Sequence, residues 1–204
     1  MISRYQKISL ISISIISLMT LTWTWLFSAL DTPKDSERIQ LFLATNEYRE
    51  DLETDMESGL ANIGVKDVII TAVAPDSPYF FTMLSTIGIL DCDLLLLPET
   101  VITGIEDITN FAPLEASVLA EYDITASQYD YFTSGVYNYA IKIYDADSTN
   151  NLIDRYFSIT SSDDYYLAIN ANTVNSGSYS KAAGTTSNRS FDALAFLLNE
   201  GTTL

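Results

Sequence analysis

Residues 91 to 99, Asp-Cys-Asp-Leu-Leu-Leu-Leu-Pro-Glu, constrain the fold more than any other stretch of this chain. Four consecutive leucines between acids and a Pro-Glu turn form a short apolar run with no polar alternation. An alternating strand leaves one face wet, whereas an unbroken run must be covered above and below. The run therefore predicts a strand of a parallel sheet with helices on both faces, the α/β layer arrangement. Ligands of open α/β sheets sit at the carboxyl ends of the strands, which makes Pro98 and Glu99 candidate ligand-binding residues.

The stretch upstream repeats the arrangement. Residues 38 to 44, RIQLFLA, are apolar and partly alternating, as a strand is. From Glu47 the period changes. Tyr48, Leu52, Met56, Leu60 and Ile63 fall at steps of four and three, with Thr45 or Asn46 placed to cap this helix and Gly64 to stop it. Residues 65 to 74, VKDVIITAVA, predict a second strand ended by Pro75-Asp76. Ser77 and Pro78 then start a second helix along Phe80, Met83, Leu84 and Ile87, with Gly88 at its end. A β-α-β-α-β order makes the three strands parallel and the crossovers right-handed. Their carboxyl ends then share one edge, where Thr45, Asn46, Glu47 and Asp76 join Pro98 and Glu99.

The chain opens in a different idiom. Arg4 and Lys7 precede residues 8 to 30, ISLISISIISLMTLTWTWLFSAL, which carry no charge. At ~1.5 Å per residue a helix of that length spans roughly 34 Å, enough for a hydrocarbon core of about 30 Å. Cations lie before the run and Asp31, Asp35 and Glu37 after it, so the N-terminus is expected in the cytoplasm and the rest outside. Trp23 and Trp25 fall toward the outer interface. A cleaved secretory signal is the competing reading, but small residues three apart are missing near residue 28. The expected organisation is thus an anchor over residues 1 to 30, a linker over 31 to 37 and one extracytoplasmic domain over 38 to 204.

Charge and composition narrow the function. Ten Lys and Arg stand against 27 Asp and Glu, a net charge of −17. Such a surface repels phosphate, so nucleic acid is an unsuitable partner. The sequence has no histidine, which removes the commonest general base, the usual zinc ligand and the standard hydrolase triads. No enzyme activity and no cofactor or metal are expected. The single cysteine, Cys92, permits no internal disulfide and is expected to be a buried, inert thiol.

The second half changes pattern. After short helical stretches over residues 105 to 111 and 113 to 122, YDYFTSGVYNYAIKIY (129 to 144) and RYFSI (155 to 159) flank the polar loop DADSTNNLID and predict a hairpin. That loop opens like a calcium loop but lacks the sixth-position glycine, and Tyr156 stands where the bidentate acid should be, so a polar turn is the better reading. Residues 165 to 170, YYLAIN, predict one more strand. A polar loop over 171 to 190 and a closing helix over 190 to 199 follow. Thirteen tyrosines suit sheet packing or a partner surface.

Taken together, RIQLFLATNEYREDLETDMESGL, CDLLLLPE, FAPLEASVLAEY, SGVYNYAIKI, YYLAIN and FDALAFLLNEG give a chain that resembles the extracellular solute-binding proteins of ABC transporters, with their type II periplasmic-binding-protein fold. Residues 99 to 164 are short for a second lobe, so the resemblance is to a single reduced lobe. It implies a small polar solute as ligand and a membrane permease as partner. The positions that match the family's site edge are Thr45, Asn46 and Glu47, then Asp76 and Tyr79, then Pro98 and Glu99, with Asn170 on the returning strand. A lobe that has lost its pocket would instead serve as an accessory or assembly subunit, through an exposed apolar patch in the aromatic hairpin region.

Overall fold

The computed structural model describes residues 16–25, 32–45, 48–148, 152, 155–184 and 186–201, and the chain divides into two units, residues 1–34 and 35–204. In the first, residues 16–25 form a helix whose large apolar side chains are all exposed, from Ile16 at 62% to Trp25 at 73%. Its threonines bond back to their own helix. Thr20 Oγ1 donates to the Ile16 carbonyl at 2.8 Å, Thr22 to Leu18 at 2.9 Å and Thr24 to Thr20 at 2.8 Å. Most of the expected span over residues 8 to 30 lies outside the described residues. Among those described, no helix is long and apolar enough to cross a membrane.

The second unit is an α/β domain on a six-stranded mixed sheet of order β2-β1-β3-β6-β5-β4. The strands are β1 (Arg38–Leu43), β2 (Asp67–Ala72), β3 (Leu94–Pro98), β4 (Tyr131–Ser134), β5 (Tyr137–Tyr144) and β6 (Tyr165–Ile169). β1 runs parallel to β2 and to β3, with Arg38 opposite Asp67 and Leu41 opposite Leu94. Arg38 Nε closes the first pair on Asp67 Oδ2 at 2.7 Å. The expected parallel trio is therefore present. Leu94 to Leu97 are each 0% exposed, so both faces of β3 are covered, and each leucine contributes about 1.5–3 kcal/mol of burial. β6 returns antiparallel against β3, pairing Leu94 with Ile169 and Pro98 with Tyr165.

Helices complete the layers. α1 (Asp51–Leu60) buries Leu52, Met56 and Leu60 and passes through a 3₁₀ turn to Gly64, whose left-handed φ of 85° ends it as expected. Its start differs. Tyr48 bridges to Phe157 and the Arg49 N–H donates to the Tyr156 carbonyl at 3.0 Å, so the backbone before Asp51 is already engaged. Glu50 holds the N-cap position, and neither Thr45 nor Asn46 does. α2 consists of α-helical turns Phe80–Met83 and Ile89–Asp91 around a π-helical turn, Leu84–Gly88. It starts two residues after Pro78. Gly88 does not stop α2 but lets it approach β1. A β-carbon there would sit 3.2 Å from the Phe42 ring and 3.0 Å from Leu84 Cδ1. Gly88→Val is accordingly expected to cost about 1–3 kcal/mol by overpacking, read as a lower urea midpoint. α3 (Glu99–Ile102), α4 (Ala116–Ala120) and α5 (Arg189–Gly201) follow, α5 packing on α1, β1 and β6.

The hairpin is real but turns elsewhere. Residues 155 to 159 form no strand beyond the single Tyr48–Phe157 bridge. Instead β4 and β5 join through a two-residue loop, Gly135-Val136, with Gly135 at φ 63°, a backbone that glycine adopts at no steric cost.

Candidate functional site

Three parallel strands ending at one rim leave backbone and loop groups there that the ladder does not consume. Thr45 follows β1, Pro75 and Asp76 follow β2, and the segment from Ser158 to Ser161 crosses the same rim before β6 begins at Tyr165. These residues line an open cleft of about 420 Å³. Thr45 is 7% exposed and Tyr165 6%, so both form its floor, while Asp76 is exposed.

Hydrogen bonds fix the wall. Tyr144 Oη donates to the Ser161 carbonyl at 3.0 Å, and the Asp163 N–H donates to Ser161 Oγ at 3.0 Å. Tyr144 and Tyr165 meet edge to face with ring centroids 6.1 Å apart. Burial pushes the Tyr165 phenol up, which keeps it a neutral hydroxyl. Behind it, Lys142 Nζ lies 2.5 Å from Asp164 Oδ2. Burial alone would raise the Asp164 carboxyl, but the Lys142 ammonium and the Ala146 N–H outweigh it and hold the group below its usual range.

The rim thus gathers two of the residues expected there, Thr45 and Asp76. Pro98 and Glu99 stand at the same rim outside the lining of this cleft. Pro98 is buried opposite Tyr165, and the Glu99 N–H donates to the Asp164 carbonyl at 2.8 Å. Tyr79 is 70% exposed just before α2 and does not line the cleft. Asn46 and Glu47 lie outside the described residues.

Asn170 belongs to the other end of the sheet. Because β6 runs antiparallel, its carboxyl end lies beside the start of β3, and Asn170 is 0% exposed there. Its Nδ2 donates to the carbonyls of Cys92, Ile89 and Gly88 at 2.7, 2.9 and 3.3 Å, while Oδ1 accepts from the Asn172 N–H at 2.9 Å. The side chain ties the end of α2 to the sheet and has nothing left for a solute.

That opposite rim holds a second cleft of about 320 Å³, lined among others by Asp35, Asp91, Asp93 and Asn175. Asp93 is 2% exposed; its Oδ2 accepts from the Gln40 N–H at 2.8 Å and its Oδ1 from Asn175 Nδ2 at 3.0 Å. Burial pushes the carboxyl up to about 6 despite these donors. Asn175 Nδ2 also reaches the carbonyls of Arg38 at 2.8 Å and Asp35 at 3.1 Å, and Ser187 Oγ donates to its Oδ1 at 2.6 Å. The cluster fastens the starts of β1 and β3 to the loop that follows β6. Cys92 beside it is buried, and burial first, then Asp93 and Asp91, push its thiol up to about 12, so it is inert as expected. Among the described residues no group of three or more acidic or cysteine side chains could hold a metal.

Sequence reasoning missed Ser158, Ile159, Thr160, Ser161 and Tyr165. The signal available was positional, since an antiparallel strand over residues 165 to 170 must be entered from the carboxyl rim of β3. Fold and rim together define a mixed α/β domain with an open polar cleft at the carboxyl ends of its parallel strands. Protein-family models, curated proteins and solved structures yield no match to this chain.

Proposed function

We propose that the chain is a membrane-anchored, extracytoplasmic module of the solute-binding-protein kind, which holds a small polar solute at the carboxyl rim and presents it to an ABC-type permease. The cleft between Thr45, Asp76, Ser158 to Ser161 and Tyr165 carries this reading, because it lies where α/β sheets bind ligands and is lined mainly by hydroxyls and one carboxylate. Support comes also from the returning strand β6 beside β3. The anchor over residues 8 to 30 is supported by the apolar exterior of the helix over 16–25, and its cytoplasmic N-terminus by Arg4 and Lys7 before the run. The threonine hydroxyls of that helix are satisfied within it and need no water. Binding without catalysis suits a sequence that has no histidine.

A thermal-shift screen of the purified full chain against sugars, amino acids, short peptides and small cations tests the proposal. A true ligand at 100 times its Kd stabilises by ~2.7 kcal/mol and raises the midpoint visibly. Silence across the whole panel overturns it.

One observation favours a second reading, an accessory or assembly subunit. Tyr79, Phe81 and Leu90 are 70%, 69% and 61% exposed around α2, and Ile69 on β2 is 37% exposed. At the hairpin only Val136 and Tyr137 are comparably exposed among the described large hydrophobics, so the apolar surface is centred on α2 instead. A chain that ignores every solute yet co-purifies with a membrane complex, and loses it on Phe81→Ser, follows this second reading.

A further inference from the structure

We infer that the solute held at the carboxyl rim is a small organic cation, an amine whose ammonium pairs with Asp76; this rests on the cleft reading above and narrows it to a ligand class. Among the described residues that line the cleft, Asp76 is the only carboxylate, and none is a cation. The cations nearest along the chain are engaged: Arg49 Nη2 lies 2.7 Å from Asp51 Oδ2 and Arg155 Nη2 lies 3.2 Å from Asp55 Oδ2, and Lys142, behind Tyr165, is paired with Asp164. No positive charge lines the cleft among the described residues, so an anion entering it would meet Asp76 with no counter-charge.

The remaining lining atoms point the same way. Thr45, Ser158, Thr160 and Ser161 carry hydroxyl oxygens, and Tyr165 adds a phenol hydroxyl. An ammonium brings three donors and no acceptor, which matches a wall of oxygen atoms. A solute that covers the cleft also strips water from Asp76. A neutral solute can donate a hydrogen bond to that carboxylate but leaves its charge uncompensated, whereas an ammonium replaces the lost water with both a donor and a counter-charge. The domain's overall acidity draws cations toward it from a distance, an attraction that salt weakens.

Three probes with the same four-carbon spacing separate these chemistries: 1,4-diaminobutane, 1,4-butanediol and succinate. Titrated into the full chain, the diamine is expected to raise the melting midpoint and give a saturable calorimetric isotherm, while the other two do neither. Asp76→Asn is expected to weaken the diamine by about ten-fold or more, the loss of one hydrogen bond to a charged group. Asp91→Asn, on the opposite rim, should leave it unchanged. Binding of the diol or succinate at least as tight as the diamine overturns the cationic assignment and leaves the solute-binding reading standing. Diamine binding that survives Asp76→Asn marks diffuse attraction to an acidic surface and overturns the assignment too. No response to any probe overturns it as well, and silence across the wider screen is what removes the cleft reading itself.

Discussion

Asn170→Asp is expected to destabilise the domain by about 3–5 kcal/mol at neutral pH, the cost of leaving a buried charge uncompensated. The asparagine is fully buried and its amide faces three carbonyl oxygens, of Gly88, Ile89 and Cys92. A carboxylate of the same shape would turn an acceptor toward acceptors. Asn170→Leu removes the donors without adding charge, leaves the Cys92 carbonyl and the Asn172 N–H unmet, and should cost less, about 2–3 kcal/mol. Urea unfolding at pH 7.5 and pH 5 separates the two. On acidification the aspartate variant regains stability relative to the wild-type chain, because its carboxyl protonates and becomes a donor again, while the loss in the leucine variant relative to the wild-type chain stays the same. Equal losses for both variants at both pH values would falsify the role assigned to this amide.

The second large effect is a pH dependence that runs opposite to ordinary acid denaturation. Asp93 has a folded-state value of about 6, above the usual 3.8, because it is buried. Between those values the folded chain binds a proton that the unfolded chain does not, so stability rises as pH falls from about 6 toward 4. Above pH 6 this contribution is gone. The full difference corresponds to ~3 kcal/mol. Burial also raises Asp192, on α5, which adds to the same slope, and relief of the net charge of −17 works in that direction too. Asp164, held below its usual range, acts oppositely and only at more acid pH. The midpoint of thermal unfolding should therefore climb between pH 7.5 and pH 5. Asp93→Asn should flatten much of that climb, since an amide keeps one acceptor for Gln40 or Asn175 but has no charge to lose. A wild-type midpoint that falls over this range contradicts the assignment.

What could be read from the residues alone was whatever is local and periodic. Leu94 to Leu97 announce burial on both faces by themselves, and the stripe of Leu52, Met56 and Leu60 announces α1. The rim followed from these, and with it Thr45 and Asp76. The remainder depended on direction and distance. Asn170 was placed with the ligand edge because a lone asparagine after a strand says nothing about which way that strand runs. An antiparallel β6 sends it to the far end. Residues 158 to 161 have no period, so nothing local distinguished a cleft wall from a loop. The hairpin was misplaced for a different reason. The residues on either side of Gly135 both read as strand, and a single glycine at positive φ was enough to fold them against each other. Gly88 looked like a stop because its sequence position is that of one, whereas the space beneath it is set by Phe42, far earlier in the chain.

The placement of β3 between β1 and β6 has a consequence for how the molecule is made. As the polypeptide emerges N-terminus first, Leu94 to Leu97 can dock on β1 at once, but the strand that covers their other edge ends only at Ile169. At ~5–20 residues per second that interval is roughly 4–15 s. For that time four leucines present an open backbone edge to any neighbouring nascent chain, a vulnerable window during biosynthesis in which a chaperone or prompt export would decide the yield.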